Sequence, residues 1–337
     1  MRILRNFSIL LILGGLIWFF SQTGTPYQLM SGETMGTYYN IKIRTSKEDK
    51  MLPQKIKQRL NEVSQKMSVF APDSEINGIN NAKKDEWLDL SAEMSLLLKD
   101  AHKIWKISNG NFDPTVGKLV DLWGFGVSKP QNTPTKEQIK EVLKYTGFDK
   151  LSFNKDYTRI KKKHDSTYLN LSAIAKGYGV DSIVRLLEEE GYTDFVVEIG
   201  GEVATRGNRS EDEKGWKIGV IRPDDTHENA YVIALKDYAV ATSGDYRNFY
   251  YKEGQKYAHT ISPQTGYPVK HGLTSVTALA KNCMDADALA TAAMAMGEEK
   301  ALAFANNNNL AMIMFVRQGD DDLKALISEK AKKLLGE

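Results

Sequence analysis

Apolar residues recur every three to four positions in several stretches of the chain, and each such stretch predicts a helix. In residues 52–67 the stripe runs through Ile56, Leu60 and Val63. Residues 91–107, 135–145 and 174–190 follow the same spacing, the last two stopped by Gly147 and Gly191. Residues 323–335 predict a C-terminal helix. Short runs rich in β-branched and aromatic residues predict strands at 37–45, 195–199, 216–221, 231–235, 238–241, 274–280 and 310–316. Residues 151–171 read as a hairpin turning at Asn154-Lys155-Asp156, with Lys161, Lys162 and Lys163 on its solvated face. Residues 68–80, 112–134 and 306–309 read as loops. Helices and strands intermix and several strand pairs suit antiparallel pairing, so the pattern predicts an α+β or mixed α/β fold, not a doubly wound sheet.

The most informative helix covers residues 283–297. Alanine dominates it, with Asp285 as an expected N-cap and Gly297 as its stop. Asp287 and Thr291 are four apart, on one face and one turn from each other. Flanking alanines allow another backbone or a ligand to come close. A carboxylate and a hydroxyl so placed offer hard oxygens to Mg²⁺, which is commonly held by one or two protein oxygens plus phosphates. The competing reading is structural: an acid favoured by the helix dipole and a threonine bonded back to its own helix.

Composition narrows the class. A chain of 337 residues, 42% of them hydrophobic, suffices for a large core. Its net charge of +2 comes entirely from Arg2 and Arg5, so no basic surface for nucleic acid is implied. Those two arginines precede an apolar run from Ile9 to Phe20, and no further charge appears until Glu33. Residues 1–31 therefore predict a signal peptide or short signal anchor, and residues 32–337 the exported body. With Cys283 the sole cysteine, an internal disulfide and a lipid-modified cysteine near residue 20 are both excluded.

No Gly-x-Gly-x-x-Gly, Walker A, Gly-x-Ser-x-Gly or His-Glu-x-x-His sequence occurs. Four other stretches carry candidate chemistry. Residues 170–177 (Asn-Leu-Ser-Ala-Ile-Ala-Lys-Gly) enter a helix, so the free amides of residues 173–176 and the Lys176 amine could face an anion; Ser172 as a plain N-cap is the alternative. In residues 110–117 Asp113 precedes Pro114, which holds it extended and can aim its carboxylate; a simple turn is the alternative. Residues 241–248 (Ala-Thr-Ser-Gly-Asp-Tyr-Arg-Asn) present hydroxyls suited to phosphate oxygens, or a simple turn with a surface ion pair. His259 stands before a Pro- and Gly-bearing loop and could act as a general base; a satisfied structural histidine is the alternative. The histidines at 102, 164, 227 and 271 read as surface residues.

Taken in order, these stretches resemble the FAD:protein FMN transferase (ApbE) family. The resemblance rests on Met35-Gly-Thr-Tyr, residues 67–75, 110–117 and 122–126, Leu171-Ser-Ala-Ile-Ala-Lys-Gly177, Glu198-Ile-Gly-Gly-Glu202, residues 241–246 and 259–268, and Ala286-Asp-Ala-Leu-Ala-Thr291. It implies a single large domain of mostly antiparallel sheets flanked by helices. It further implies a Mg²⁺-dependent enzyme that moves FMN from FAD to a Ser or Thr hydroxyl of an acceptor protein, through a phosphoester bond, releasing AMP. The metal ligands implied are Asp287, Thr291 and the Ala173 carbonyl; the FAD contacts implied are Met35, Phe70, Asn111, Phe112, Asp113, Asn170, Lys176 and Ile261; the base implied is His259. The implied acceptor is a subunit of a membrane redox complex outside the cytoplasm, which agrees with an export signal and a place on the periplasmic side of the inner membrane. Asn170 stands where the family usually has Asp, and Phe70 where Tyr is common. FAD pyrophosphatase and a non-catalytic FAD reservoir are the alternative functions.

Overall fold

The computed structural model describes residues 26–127, 132–224, 226, 228–245, 249–252, 255–319 and 322–336. Most of the leader, His227 and the Tyr246-Arg247-Asn248 end of the hydroxyl-bearing loop lie outside these residues.

The first described elements are β1 (Tyr27–Thr34) and β2 (Thr37–Arg44), joined by a turn with positive φ at Met35 and Gly36. Strand β1 is a correction to the expected boundary at residue 32. Residues 27–31 pair with residues 40–44 of β2, and Met30 is buried, so this stretch belongs to the folded body. Helix α1 (Leu52–Met67) buries Ile56, Leu60 and Val63 as their spacing predicts. The expected loop that follows holds α2 (Glu75–Asn81). Ser74 accepts from the Asn77 amide at its start and Ile76 and Ile79 are buried, which outweighs Gly78. After β3 (Leu88–Asp89), α3 (Ala92–Ile107) is capped by Ser91. The next expected loop contains α4 (Gly117–Leu122), and α5 (Lys136–Leu143) begins with a reciprocal Thr135–Gln138 cap.

Strands β4 (Leu151–Phe153) and β5 (Arg159–Lys162) form the expected hairpin. Lys162, however, is not on a solvated face. It is 1% exposed and its Nζ donates to the carbonyls of Asn80 and Asp165 at 2.6 and 2.9 Å. Helix α6 (Ala175–Glu189) leads to β6 (Phe195–Ile199) and β7 (Glu202–Arg206), a hairpin turned by Gly200 and Gly201, both at positive φ. Then come β8 (Trp216–Ile221), β9 (Asn229–Leu235), β10 (Ala239–Gly244), β11 (Phe249–Lys252), β12 (Gln255–Ala258) and β13 (Leu273–Ala280). Helix α7 (Cys283–Met296) is the alanine-rich helix, followed by α8 (Glu298–Asn307) and β14 (Ala311–Gln318). The expected C-terminal helix splits into β15 (Asp322–Ile327) and α9 (Glu329–Leu335). A turn through Gly319 brings β15 back along β14, and Ser328 caps the shorter helix.

Eight strands form one wholly antiparallel sheet in the order β1-β2-β6-β7-β10-β13-β14-β15. Its side chains from β2 and β6 pack with α1 and α6 in one apolar cluster. A larger cluster joins α3 and α7 to β13 and β14, while the β8–β9 hairpin covers residues of β10, β13 and β14 in a third. Helix α7 therefore lies buried between sheet and helices. All but a few of its residues are inaccessible, which is why its sequence is apolar all round and not striped. A polar face on such a helix has no solvent to serve.

Candidate active site

A cleft of about 400 Å³ draws its walls from segments far apart in the chain: the 111–114 turn, the 170–176 segment, the Gly200–Glu202 hairpin end, the last residues of β10, residues 259–261 and α7. Its size is ordinary for a small-molecule site. Every residue implied by the resemblance lines it except Met35. Met35 sits in the β1–β2 turn, with its Sδ and Cε close to Gly179 of α6.

The crossing of α6 and α7 sets the centre of the site. Gly177 is the point of closest approach: a Cβ there would lie 2.4 Å from the Cys283 carbonyl oxygen and 2.8 Å from Met284 Cα. Four residues on, the buried Asp181 accepts hydrogen bonds from the Cys283 and Met284 amides, both at 2.8 Å. Those are orphan donors at the start of α7. The side-chain cap itself is Asn282, whose Oδ1 accepts from the Asp285 amide at 2.7 Å, so Asp285 lies inside the first turn and is not the N-cap. Burial lifts the Asp181 carboxyl to about 6, with the two amides pulling the other way.

With the helices so clamped, Asp287 Oδ2 accepts from the Gly177 amide at 3.0 Å. In a regular helix that amide would bond to the carbonyl four residues back, which belongs to Ala173. The diversion leaves the Ala173 carbonyl with no donor among the described residues. Asp287, Thr291 and Ala173 all line the cleft. The anion reading of residues 173–176 needs a correction here. The Ile174 and Ala175 amides both donate to the Leu171 carbonyl, at 3.0 and 2.8 Å, leaving the Ala173 and Lys176 amides for a ligand.

Lys176 reaches across the same space. Its Nζ lies 3.1 Å from Glu202 Oε1 and 3.8 Å from Asp287 Oδ1. Burial works against its charge, yet the two carboxylates more than reverse this and hold the ammonium charged well above the usual lysine range. Glu202 is 3% exposed and its second oxygen, Oε2, has no hydrogen-bond partner among the described residues. Burial raises the Glu202 carboxyl, Lys176 opposes the rise and Asp287 adds to it. Two carboxylates face one ammonium, which leaves room for a further positive charge. Among the described residues no group of three or more His, Cys, Asp or Glu converges as a metal site.

The 111–113 turn is built from within. Asp113 accepts from Trp105 Nε1, the Thr115 amide and hydroxyl, and the Phe148 amide at 2.6–3.0 Å. Burial pushes its carboxyl up to about 6 while these four bonds pull it down. The carboxylate thus shapes the loop from within while its residue lines the cleft. Phe112 is 1% exposed and belongs to the core while also lining the cleft. Asn111 donates to the Ser108 carbonyl at 2.7 Å. Asn170 Oδ1 accepts from the Ser172 amide at 2.9 Å, so Ser172 is held by Asn170 and does not cap the helix. Phe70 stands at the rim with 64% of its surface exposed. Ile261 is buried against Trp123 and Ile139, and His259 follows the end of β12 with its ring edge-on to Phe125. Two other histidines correct the surface reading: His102 stacks on Phe148, and His271 Nε2 lies 2.9 Å from the Met294 carbonyl.

Glu202 and Asp181 are the residues that sequence reasoning passed over. The Gly200-Gly201 turn was the available signal for Glu202, since a two-residue turn places the next side chain at a sheet end. Asp181 lay in an expected helix interior, and its partners are over a hundred residues away. Replacing Asp181 by alanine strands two buried amides, and should cost roughly 2–4 kcal/mol. Thermal unfolding checks this; a midpoint within about two degrees of the parent contradicts the clamp.

The chain's relatives share this architecture. The ApbE family model matches residues 35–314. The FAD:protein FMN transferase of Haemophilus influenzae is 39% identical over 324 residues, 93% of each chain, and that of Escherichia coli strain K12 is 33% identical over 92% of this chain and 90% of its own. Among solved structures, the flavin transferase ApbE from Vibrio cholerae superposes with a TM-score of 0.84 at 37% identity, covering 92% of this chain and 99% of that one. The apo flavinyl transferase ApbE of Pseudomonas stutzeri gives 0.84 at 29% identity, over 94% and 99%. With fold, motif order and sequence in agreement over nearly its whole described length, the chain belongs to the ApbE family.

Proposed function

We infer that this protein is an FAD:protein FMN transferase. The observation that carries the reading is the meeting of Asp287, Thr291, the released Ala173 carbonyl and Lys176 in one cleft, in a chain of this family. In the reaction, an acceptor Ser or Thr oxygen attacks the phosphorus on the FMN side of the diphosphate. The bond from that phosphorus to the oxygen of AMP breaks, AMP leaves, and FMN remains joined to the acceptor as a phosphoester. Such transfers depend on positioning and charge neutralisation more than on covalent help from the protein. Lys176 and its backbone amide neutralise phosphoryl oxygens. His259 accepts the hydroxyl proton. Phe70 stacks on the flavin, and Asn170 orients the 170–176 segment.

Asp287, Thr291 and the Ala173 carbonyl fit a Mg²⁺ ion: all are hard oxygens, and the carbonyl lacks its helical donor. The ion would draw charge from the diphosphate and steady the departing AMP. Arg2, Arg5 and the apolar run after them support export, with the catalytic body on the periplasmic face and a membrane redox subunit as acceptor. Cell fractionation tests this placement, and catalytic protein found only in the cytosol contradicts it.

The test of the activity is direct. Purified protein, FAD, Mg²⁺ and a candidate acceptor should yield a fluorescent acceptor band on a denaturing gel. Silence across several acceptors, beside an active relative, contradicts the reading. Replacing Phe70 by alanine should weaken FAD binding about threefold to tenfold by losing the stacking surface. Fluorescence titration measures it, and an unchanged affinity removes Phe70 from the flavin site.

A further inference from the structure

We propose that Glu202 is a positioning residue that holds Lys176 off Asp287, so that Asp287 stays open to a divalent cation. The inference rests on the reading of Asp287 as a metal ligand.

Asp287 lines the cleft, and its Oδ2 already accepts from the Gly177 amide, so Oδ1 is its less engaged oxygen. The Lys176 ammonium stands 3.8 Å from that oxygen, outside hydrogen-bond distance but near enough to close on it by a rotamer change. A cation bound to Oδ1 would sit about 2.1 Å away, in the space an ammonium closing on Oδ1 would fill. The two positive charges compete for one carboxylate oxygen. Glu202 decides the competition, because its Oε1 is the nearer partner, at 3.1 Å.

The geometry of Glu202 suits that task. It is the first residue of β7, directly after the two-residue Gly200-Gly201 turn, in the interior of the eight-stranded sheet. Helix α7, which carries Asp287, is equally fixed by the Gly177 contact and the Asp181 clamp. Between two rigid carboxylates the lysine stem is the adjustable part. Glu202 is buried while the Lys176 side chain keeps 31% of its surface, so the ammonium can turn toward a phosphate without releasing Glu202. When Glu202 loses its charge, Asp287 is the one carboxylate among the described residues still within 4 Å of the Lys176 ammonium, and the lysine collapses onto the metal position.

The test uses Mn²⁺ as a paramagnetic stand-in for Mg²⁺, on FAD-free protein, with free Mn²⁺ read by its resonance signal. Glu202→Gln should weaken Mn²⁺ binding about tenfold or more, within the usual range for one charged group's effect on another site. Lys176→Met alone should bind Mn²⁺ at least as tightly as the parent, and in the Glu202→Gln background it should restore binding to within about threefold. Unchanged binding in a folded Glu202→Gln protein overturns the inference. A double variant that stays as weak as Glu202→Gln also overturns it, by making Glu202 a ligand in its own right. If Glu202→Gln does not fold, Lys176→Met still decides: weaker binding there contradicts competition. A parent protein whose Mn²⁺ binding is unaffected by Asp287→Asn overturns the metal reading itself, a result distinct from the other three.

Discussion

Replacing Asp287 by asparagine is expected to lower flavin transfer by about a thousandfold while leaving the fold intact. The two halves of this expectation have separate causes. An amide oxygen at this position still accepts the Gly177 N–H, now 3.0 Å from Oδ2, so the α6–α7 contact survives. What disappears is the negative charge. Lys176 then faces Glu202 alone, and the oxygen set of Thr291 and the Ala173 carbonyl has no anionic member left to hold a divalent ion. In-gel fluorescence of the acceptor measures the loss, and thermal unfolding confirms that the variant is folded. A variant retaining a tenth of the parent rate or more removes Asp287 from the centre of the mechanism. Asp287→Ala gives the same loss of transfer and also strands the Gly177 amide, so it should be less stable than the asparagine variant by about 1–3 kcal/mol.

The second large effect is steric. Gly177→Ala adds one methyl group where the nearest atoms are the Cys283 carbonyl oxygen at 2.4 Å, the Cys283 carbonyl carbon at 2.7 Å and Met284 Cα at 2.8 Å. All three are backbone atoms, so no rotamer change relieves the clash and α7 must move away from α6. The expected cost is about 1–3 kcal/mol or more in stability. The functional cost is larger. Asp287 and Thr291 move with α7 while Ala173 and Lys176 stay with the segment leading into α6, and a displacement of about 1 Å between reacting groups can cost a hundredfold in rate. Transfer should therefore fall about a hundredfold at a temperature where the variant remains folded. Gly191→Ala makes a control for glycine loss without crowding, since nothing lies within 4 Å of a Cβ there, although its positive φ adds local strain. Full transfer by Gly177→Ala contradicts the close crossing of the two helices.

These expectations show which parts of the site were local enough to read from the chain. Asp287 and Thr291 share a helix, and a helix carries its own period, so their common face follows from their spacing. The turn of residues 110–117 announced itself through its glycines and Pro114. The identity of the N-cap did not, because Asn282 and Asp285 are both good caps and only the hydrogen bond between them distinguishes their roles. The release of the Ala173 carbonyl has no local signature at all: it depends on a carboxylate 110 residues away capturing one amide. Pro114 signalled that the Asp113 carboxylate is aimed, but not that Trp105, Thr115 and Phe148 donate to it. Lys162 shows the same limit. A run of three lysines reads as a solvated face, yet strand alternation turns the middle one into the core, where two carbonyls receive it. Strand β15 was hidden for a further reason. Its Leu323, Ala325 and Ile327 fit either period, and the hairpin with β14 selects the strand. The antiparallel character of the main sheet was legible in outline, while its order, with β2 beside β6 and β7 beside β10, was not.

The central claim is that the cleft joins the FMN half of FAD to a protein hydroxyl. It is tested most directly by following acceptor mass and AMP together in one reaction with FAD and Mg²⁺. The account predicts an acceptor heavier by one FMN less one water, with one AMP released for each acceptor modified. Release of AMP with free FMN and an acceptor of unchanged mass would contradict it.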